Sequence, residues 1–75
     1  MEKLIEILKE IHPEINFDLE DGLVDNGILD SLDIVTLVTE IDNRFDVSVS
    51  AEDIVPENFN SARAIYSLIE RLDGE

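Results

Sequence analysis

The fold is decided by residues 27–38, GILDSLDIVTLV, where a loop gives way to an amphipathic helix. Gly27 marks a turn, and Asp30 and Ser31 stand directly before the apolar-periodic run, which is the usual place of an N-cap. The first N–H groups of a helix lack partners and carry a partial positive charge. A phosphate joined to the Ser31 hydroxyl would therefore lie in a favourable field, although an ordinary helix cap explains the same two residues.

The helix that begins at Ser31 is predicted to span residues 31–45. Its core-facing stripe recurs at steps of three and four and consists of Ile34, Leu37, Val38, Ile41 and Phe45. Leu32, Val35 and Thr39 fall on another side of the helix, close to Ser31. They form either an exposed contact patch for a partner or a surface covered by the preceding loop, and the pattern favours neither interpretation.

Residues 2–12 are predicted to form the first helix, and residues 13–30 a long connection. The helix has an apolar stripe at helical spacing, made of Leu4, Ile5, Leu8 and Ile11. Pro13 ends it, because the residue before a proline is pushed out of the helical region. A connection of this length in so short a chain usually packs by its own side chains. We expect three of these to lie on the helices: Phe17, Leu23 and Ile28.

The rest of the chain predicts a short helical turn and a last helix. Ser50 and Asp53 have the spacing of a capping box, so a turn should open there, run through residue 55 and end at Pro56. The last helix should start at residue 60 or 61 and run to residue 72, with a stripe of Ile65, Leu68, Ile69 and Leu72. The final residues, 73–75, should fray.

Length and composition bound the architecture. Seventy-five residues, 44% of them apolar, make one small domain, residues 1–75, and the predicted elements make it all-α: a four-helix bundle with three longer helices, one short helix and a long first loop. The absence of cysteine fits a reducing cytoplasm. No apolar run approaches the roughly 18 residues of a membrane span, and the first residues lack a signal-peptide pattern. We therefore expect a cytoplasmic monomer without membrane insertion.

The charge of the chain is strongly negative, with 19 acidic residues against 5 basic ones and a net charge of −14. Nucleic acid and anionic membrane surfaces repel such a chain. Partners should instead present basic patches, and their docking should weaken as salt is added. Acidity that only keeps a small protein in solution accounts for the same charge.

The sequence contains no pattern typical of an enzyme or a metal site. His12 is the only histidine, and a lone histidine is more often structural than catalytic. Residues 18–30 are rich in acids but fail the calcium-loop pattern, because a glycine at the sixth position puts Phe17 or Gly22 at the first. We therefore expect no catalytic activity and no metal site. If Ser31 is chemically important, another protein must do the chemistry on it.

With these residues in view, the chain resembles the acyl carrier protein family, which includes peptidyl and D-alanyl carrier proteins. Asp30-Ser31-Leu32 matches the family's Asp-Ser-Leu attachment motif, and the order of the helices fits over nearly the whole chain. The resemblance implies an acyl-carrier-like bundle in which Ser31, between Asp30 and Leu32, receives 4′-phosphopantetheine from coenzyme A through a separate phosphopantetheinyl transferase. It also implies that the thiol of this arm holds an acyl or aminoacyl group as a thioester.

The resemblance further implies a partner-binding face on the same helix, for the transferase and for the ligase or synthase enzymes that load the arm. Its residues are Asp33, Val35, Thr36, Thr39, Glu40 and Asp42. A protein of another class also fits the residues alone: an acidic helical adaptor without a prosthetic group, which binds a basic partner through Leu32, Val35 and nearby acids.

The cargo is left open between two kinds of carrier. In fatty-acid carriers this helix is strongly acidic, whereas here Thr36, Asn43 and Arg44 stand where acids are common. Two segments, residues 42–46 and 58–61, look similar to D-alanyl carrier proteins, although those often have glycine where this chain has an aspartate at position 33. The sequence thus fits a carrier for fatty-acid or polyketide synthesis, and also a D-alanyl or other aminoacyl carrier loaded by an adenylating ligase.

Overall fold

The computed structural model describes residues 2–74, which form helices and connecting segments without any strand. In chain order the elements are helix α1 (Glu2–Ile11), helix α2 (Ser31–Phe45), a 3-10 turn (Ala51–Asp53), helix α3 (Pro56–Phe59) and helix α4 (Ala62–Asp73). The prediction of a small all-α bundle with three longer helices, one short helix and a long first loop is confirmed. None of the helices in residues 2–74 is long and apolar enough to cross a membrane.

The core lies where α1, α2 and α4 pack together, with α3 against α4. Leu37 and Ile41 on α2 are fully buried, and the other members of the predicted stripe pack against the core with partial burial. The predicted stripe of α4 is confirmed, with Ile65, Leu68 and Ile69 buried. On α1 the prediction was incomplete: Leu4, Ile7 and Leu8 are buried, whereas Ile5 and Ile11 are only partly so.

The long first loop covers the bundle with its own apolar side chains, as predicted. Phe17 and Leu23 are buried, whereas Ile28 is only partly buried and its neighbour Leu29 lies deeper. The loop is tied to the segment before α4 by Asn60. The Asn60 carbonyl accepts the N–H of Leu23 at 2.8 Å, and its side-chain Oδ1 accepts the next two backbone N–H groups at 3.0 Å each. These bonds satisfy loop N–H groups that the helices cannot serve.

The prediction for the turn that precedes the last helix was wrong at Pro56. The 3-10 turn ends at Asp53, and Pro56 begins α3 instead of ending a turn. Proline suits the first helical position because the N–H it lacks would have no intrahelical partner there, and Val55 before it is extended, as a residue before proline prefers. The Ser50 N–H and hydroxyl both donate to Asp53 Oδ2, at 3.3 and 3.0 Å.

The last helix begins as predicted, with Ser61 as its N-cap. Asp73 belongs to α4, and the N–H of Gly74 donates to the Glu70 carbonyl at 3.0 Å. Glu75 lies outside the described residues.

Replacing Ile41 with alanine should lower the free energy of unfolding by about 2–5 kcal/mol, because a fully buried side chain is removed and a cavity is left. The matched control is Leu32→Ala on the same helix, where the side chain is 77% exposed, with an expected change within about 0.5 kcal/mol. Urea denaturation of the three proteins checks both values. A loss below about 1 kcal/mol for Ile41→Ala would show that α2 is not packed as described.

Candidate functional site

Helix α2 begins with a reciprocal pair of hydrogen bonds between two aspartates. Asp30 is the N-cap, in extended backbone geometry, and its Oδ1 accepts the N–H of Asp33 at 2.8 Å. The carboxylate of Asp33 in turn accepts the N–H of Asp30, with 3.4 Å between Oδ2 and N. This capping box satisfies two backbone donors at the helix start. Asp30 is therefore the cap, and Ser31 is the first helical residue.

The Ser31 hydroxyl is free because Asp30 has taken over the capping. The side-chain bonds at the start of α2 join Asp30, Asp33 and His12, and none of them uses Ser31 Oγ within residues 2–74. Two other serines at helix starts differ in this respect: Ser61 Oγ accepts the N–H of Ala64 at 3.0 Å, and the Ser50 hydroxyl donates to a carboxylate. Ser31 is also exposed, so its hydroxyl is open to an outside enzyme.

Backbone hydrogen bonds within the loop fix its path just before Ser31. Gly27 has a φ of +73°, a left-handed conformation that favours glycine, and its N–H donates to the Val24 carbonyl at 3.0 Å. The N–H of Leu29 donates to the Leu23 carbonyl at 2.8 Å, and both leucine side chains are buried. The chain therefore reaches Ser31 from an anchored residue only two positions earlier.

His12 joins the end of α1 to the start of α2. Its Nε2 lies 2.7 Å from Asp33 Oδ2, and its Nδ1 lies 3.1 Å from Glu14 Oε2. The hydrogen bond to Asp33 is the main reason that the pKa of His12 is raised above its ordinary value; the bond to Glu14 adds to it and partial desolvation opposes it. His12 therefore connects the end of α1 to α2, and it does so through Asp33, one of the two aspartates of the capping box on either side of Ser31.

The predicted partner-binding residues divide into two groups. All three acids of α2 are engaged within the chain: Asp33 with His12, Glu40 Oε1 with Arg44 Nε at 3.0 Å, and Asp42 Oδ1 with the N–H of Val49 at 3.0 Å. The exposed remainder carries no charge and consists of Val35 (62% exposed), Thr36 and Thr39. Leu32, which was predicted to flank the attachment point, is also exposed, at 77%. The interpretation that Leu32 and Val35 are covered by the loop was wrong, because the loop packs Phe17, Leu23 and Leu29 inwards instead.

The start of α2 fits a phosphate-linked prosthetic group. Ser31 offers an exposed hydroxyl at the positive end of the α2 dipole, which favours a negative charge there. Within residues 2–74, no cluster of three or more histidine, cysteine or acidic side chains is arranged to hold a metal ion.

Comparison with known proteins gives the class. The sequence model of the family described as "Phosphopantetheine attachment site" matches residues 2–69, which is nearly the whole chain. The chain therefore belongs to the phosphopantetheine-binding carrier family, whose prosthetic group is covalently attached 4′-phosphopantetheine, and its role is that of a carrier.

Three proteins that are similar to this chain are each named D-alanyl carrier protein. The chain is 35% identical over 71 residues to the D-alanyl carrier protein of Streptococcus sanguinis (strain SK36), covering 93% of this chain and 90% of that one. The D-alanyl carrier protein of Streptococcus gordonii gives the same identity and coverage. That of Streptococcus suis (strain 05ZYH33) is 31% identical over 72 residues, covering 95% and 91% of the two chains.

Stability should fall as the pH rises through the raised pKa of His12. A histidine whose pKa is higher in the folded than in the unfolded chain stabilises the fold fully below its unfolded pKa of about 6.5. That stabilisation is lost as the pH rises through the folded value. Urea denaturation of the native chain and of His12→Gln between pH 5.5 and 8.5 measures it, because glutamine can donate to Asp33 but does not titrate.

The advantage of the native chain over His12→Gln should be largest at the acidic end of this range and should shrink towards the alkaline end. An advantage that stays constant or grows with pH would contradict the assigned contacts of His12.

Proposed function

We propose that Ser31 is the residue that carries the 4′-phosphopantetheine arm and that a separate transferase attaches it. The observation that supports this most directly is the exposed Ser31 hydroxyl, which the Asp30–Asp33 capping box leaves without a hydrogen-bonding task. Ser31 Oγ forms the new bond to phosphorus, the pyrophosphate bond of coenzyme A breaks, and adenosine 3′,5′-bisphosphate leaves. The hydroxyl proton passes to a base of the transferase, because Ser31 has no base within hydrogen-bonding distance in residues 2–74.

When bound, 4′-phosphopantetheine supplies a thiol that holds a carboxylic acid as a reactive thioester. The residues of this chain would hold the arm in two ways: Ser31 through its oxygen, and the first turn of α2 through the positive end of its dipole near the phosphate. Asp30 and Leu32 flank the attachment point, Asp30 by fixing the backbone and Leu32 by presenting an apolar side chain to an approaching enzyme.

We propose that the cargo is an aminoacyl group, with D-alanine as the first candidate. The similar proteins of the three streptococci are named D-alanyl carrier proteins, and the neutral residues at Thr36 and Asn43 depart from the acidic helix expected of fatty-acid carriers. An adenylating ligase would activate the carboxylate of the amino acid with ATP, releasing pyrophosphate, and would transfer it to the arm held by Ser31 with release of AMP. The aspartate at position 33, where D-alanyl carrier proteins often have glycine, is a departure from a D-alanyl cargo.

The docking face for these enzymes is proposed to be the set of uncharged, exposed residues of α2 that follow Ser31. Leu32 and Val35 provide its apolar centre, and Thr36 and Thr39 its neutral surround. Because the acids of α2 are engaged with other groups of the chain, ion pairs with a basic patch would have to compete with existing contacts. The net charge of −14 would still draw basic partners from a distance.

The protein is proposed to work as a monomer in the cytoplasm and to be acted on by partner enzymes. A free thiol on the arm is kept reduced in that compartment. A chain with this charge is unsuited to nucleic acid or to an anionic membrane surface.

Incubation of the unmodified protein with coenzyme A, Mg²⁺ and a broad-specificity transferase should add one phosphopantetheine, because the Ser31 hydroxyl is exposed and uncommitted. Intact-mass spectrometry measures the gain. Ser31→Ala should gain nothing, whereas Ser61→Ala, which removes a serine from another helix start, should be modified in full. Addition to Ser31→Ala would overturn the assignment of the attachment residue, and no addition to any of the proteins would favour the adaptor hypothesis.

The modified protein should accept D-alanine from a D-alanine-adenylating ligase with ATP, as a thioester that hydroxylamine releases. Leu32→Ser should raise the KM of the ligase for the carrier at least about fivefold, as expected for loss of a central apolar contact. Leu19→Ser is the matched control, since Leu19 is 81% exposed but lies in the first loop. Equal effects of the two substitutions would contradict the docking face, and loading by a fatty-acyl ligase instead of D-alanine would contradict the cargo.

A further inference from the structure

Among residues 2–12, His12 is the residue whose side chain forms a hydrogen bond with the capping box around Ser31. Asp33 Oδ2 accepts from two groups: the N–H of Asp30 at 3.4 Å and His12 Nε2 at 2.7 Å. The shorter bond is the one to His12, and it comes from a different element. The side chains of His12 and Asp33 are only 25% and 24% exposed, so the pair is shielded in part from water, which strengthens it.

We propose that His12 is a positioning residue for the modification of Ser31: by holding the carboxylate of Asp33, it fixes the first turn of α2 in the geometry that the transferase must engage. This inference rests on the proposed attachment at Ser31. The chain of contacts is short, because Asp33 binds the N–H of Asp30 and Asp30 Oδ1 binds the N–H of Asp33. Ser31 lies between these two residues, and its hydroxyl forms no hydrogen bond with the part of the chain from residue 2 to residue 74.

The charge state of His12 decides how many carboxylates it can hold. The charged groups that face its ring are Asp33 from α2 and Glu14 from the first loop. A protonated imidazole donates from both nitrogens and so serves both carboxylates, whereas a neutral imidazole has a single N–H. Raising the pH should therefore loosen the hold on one of the two, and a part of the molecules should lose the bond to Asp33. Modification of Ser31 should then depend on pH through a residue that does not touch the substrate.

The test is the kcat/KM of arm transfer to the native chain, His12→Ala and His12→Gln, measured from pH 5.5 to 8.5 with one transferase. Dividing each variant's value by that of the native chain at the same pH removes the titration of the transferase itself. His12→Ala should be about fivefold slower at the acidic end, as expected for the loss of one hydrogen bond, and the difference should narrow as the pH rises. His12→Gln should recover most of the loss, because its amide can still donate to Asp33.

Arg44→Gln is the matched control for a purely structural role. Arg44 also joins α1 to α2, with its guanidinium 3.1 Å from Glu10 Oε2, but it does not contact the capping box. It should leave the transfer rate unchanged while the protein is folded at the assay temperature. If Arg44→Gln slows transfer as much as His12→Ala does, or if His12→Ala is modified at the native rate at every pH, the proposal is overturned.

A second measurement needs no transferase. In the unmodified native chain, the backbone amide signals of Ser31 and Leu32 in NMR spectra should shift with the same midpoint as the His12 ring, and this shift should vanish in His12→Gln. If the amide signals of Ser31 and Leu32 do not shift as the His12 ring titrates, the proposal is overturned. Failure of the proposed attachment has a different signature, since Ser31→Ala would be modified or the native chain would not be modified at all.

Discussion

The reciprocal bonds between Asp30 and Asp33 are the constraint on which the site depends. A helix start must find partners for its first N–H groups, and in many helices a serine hydroxyl does this. Here an aspartate does it, with 2.8 Å between Asp33 N and Asp30 Oδ1. The serine that follows is thereby released from a structural task and placed, exposed, at the positive end of a 15-residue helix. The same two bonds give the motif Asp-Ser-Leu a physical reading: a cap, the proposed attachment point and an exposed apolar side chain.

The contacts of the acidic residues on α2 change how the negative charge of the chain is interpreted. A net charge of −14 suggests a surface made for basic partners, yet each acid of α2 has a partner within the chain. The exposed residues of α2 that follow Ser31 are instead apolar or uncharged: Leu32, Val35, Thr36 and Thr39. On the proposed docking face, long-range attraction and short-range contact would be carried by different residues, in line with the general division between steering and docking.

The sequence was sufficient where a periodic pattern coincided with a local stop or start signal. Both long helices after the first loop were predicted within one residue at their starts, because Asp30 and Ser61 are strong caps in front of clear stripes. Pro56 was misassigned because a proline is compatible with both the end and the beginning of a helix. The burial of Ile7 was missed although Leu4, Ile7, Leu8 and Ile11 follow the i, i+3, i+4 and i+7 spacing of an apolar stripe. The hydrogen bonds made by Asn60 and His12 join residues 36 and 21 positions apart. A local sequence pattern does not predict contacts at such separations.

The central claim is that Ser31 alone carries the prosthetic arm. The most direct measurement is tandem mass spectrometry of peptides from the protein purified from the cells that make it. We predict phosphopantetheine on the peptide that contains Ser31, with the other serines unmodified. A fully unmodified Ser31 peptide, or the arm on Ser48, Ser50, Ser61 or Ser67, would contradict the claim.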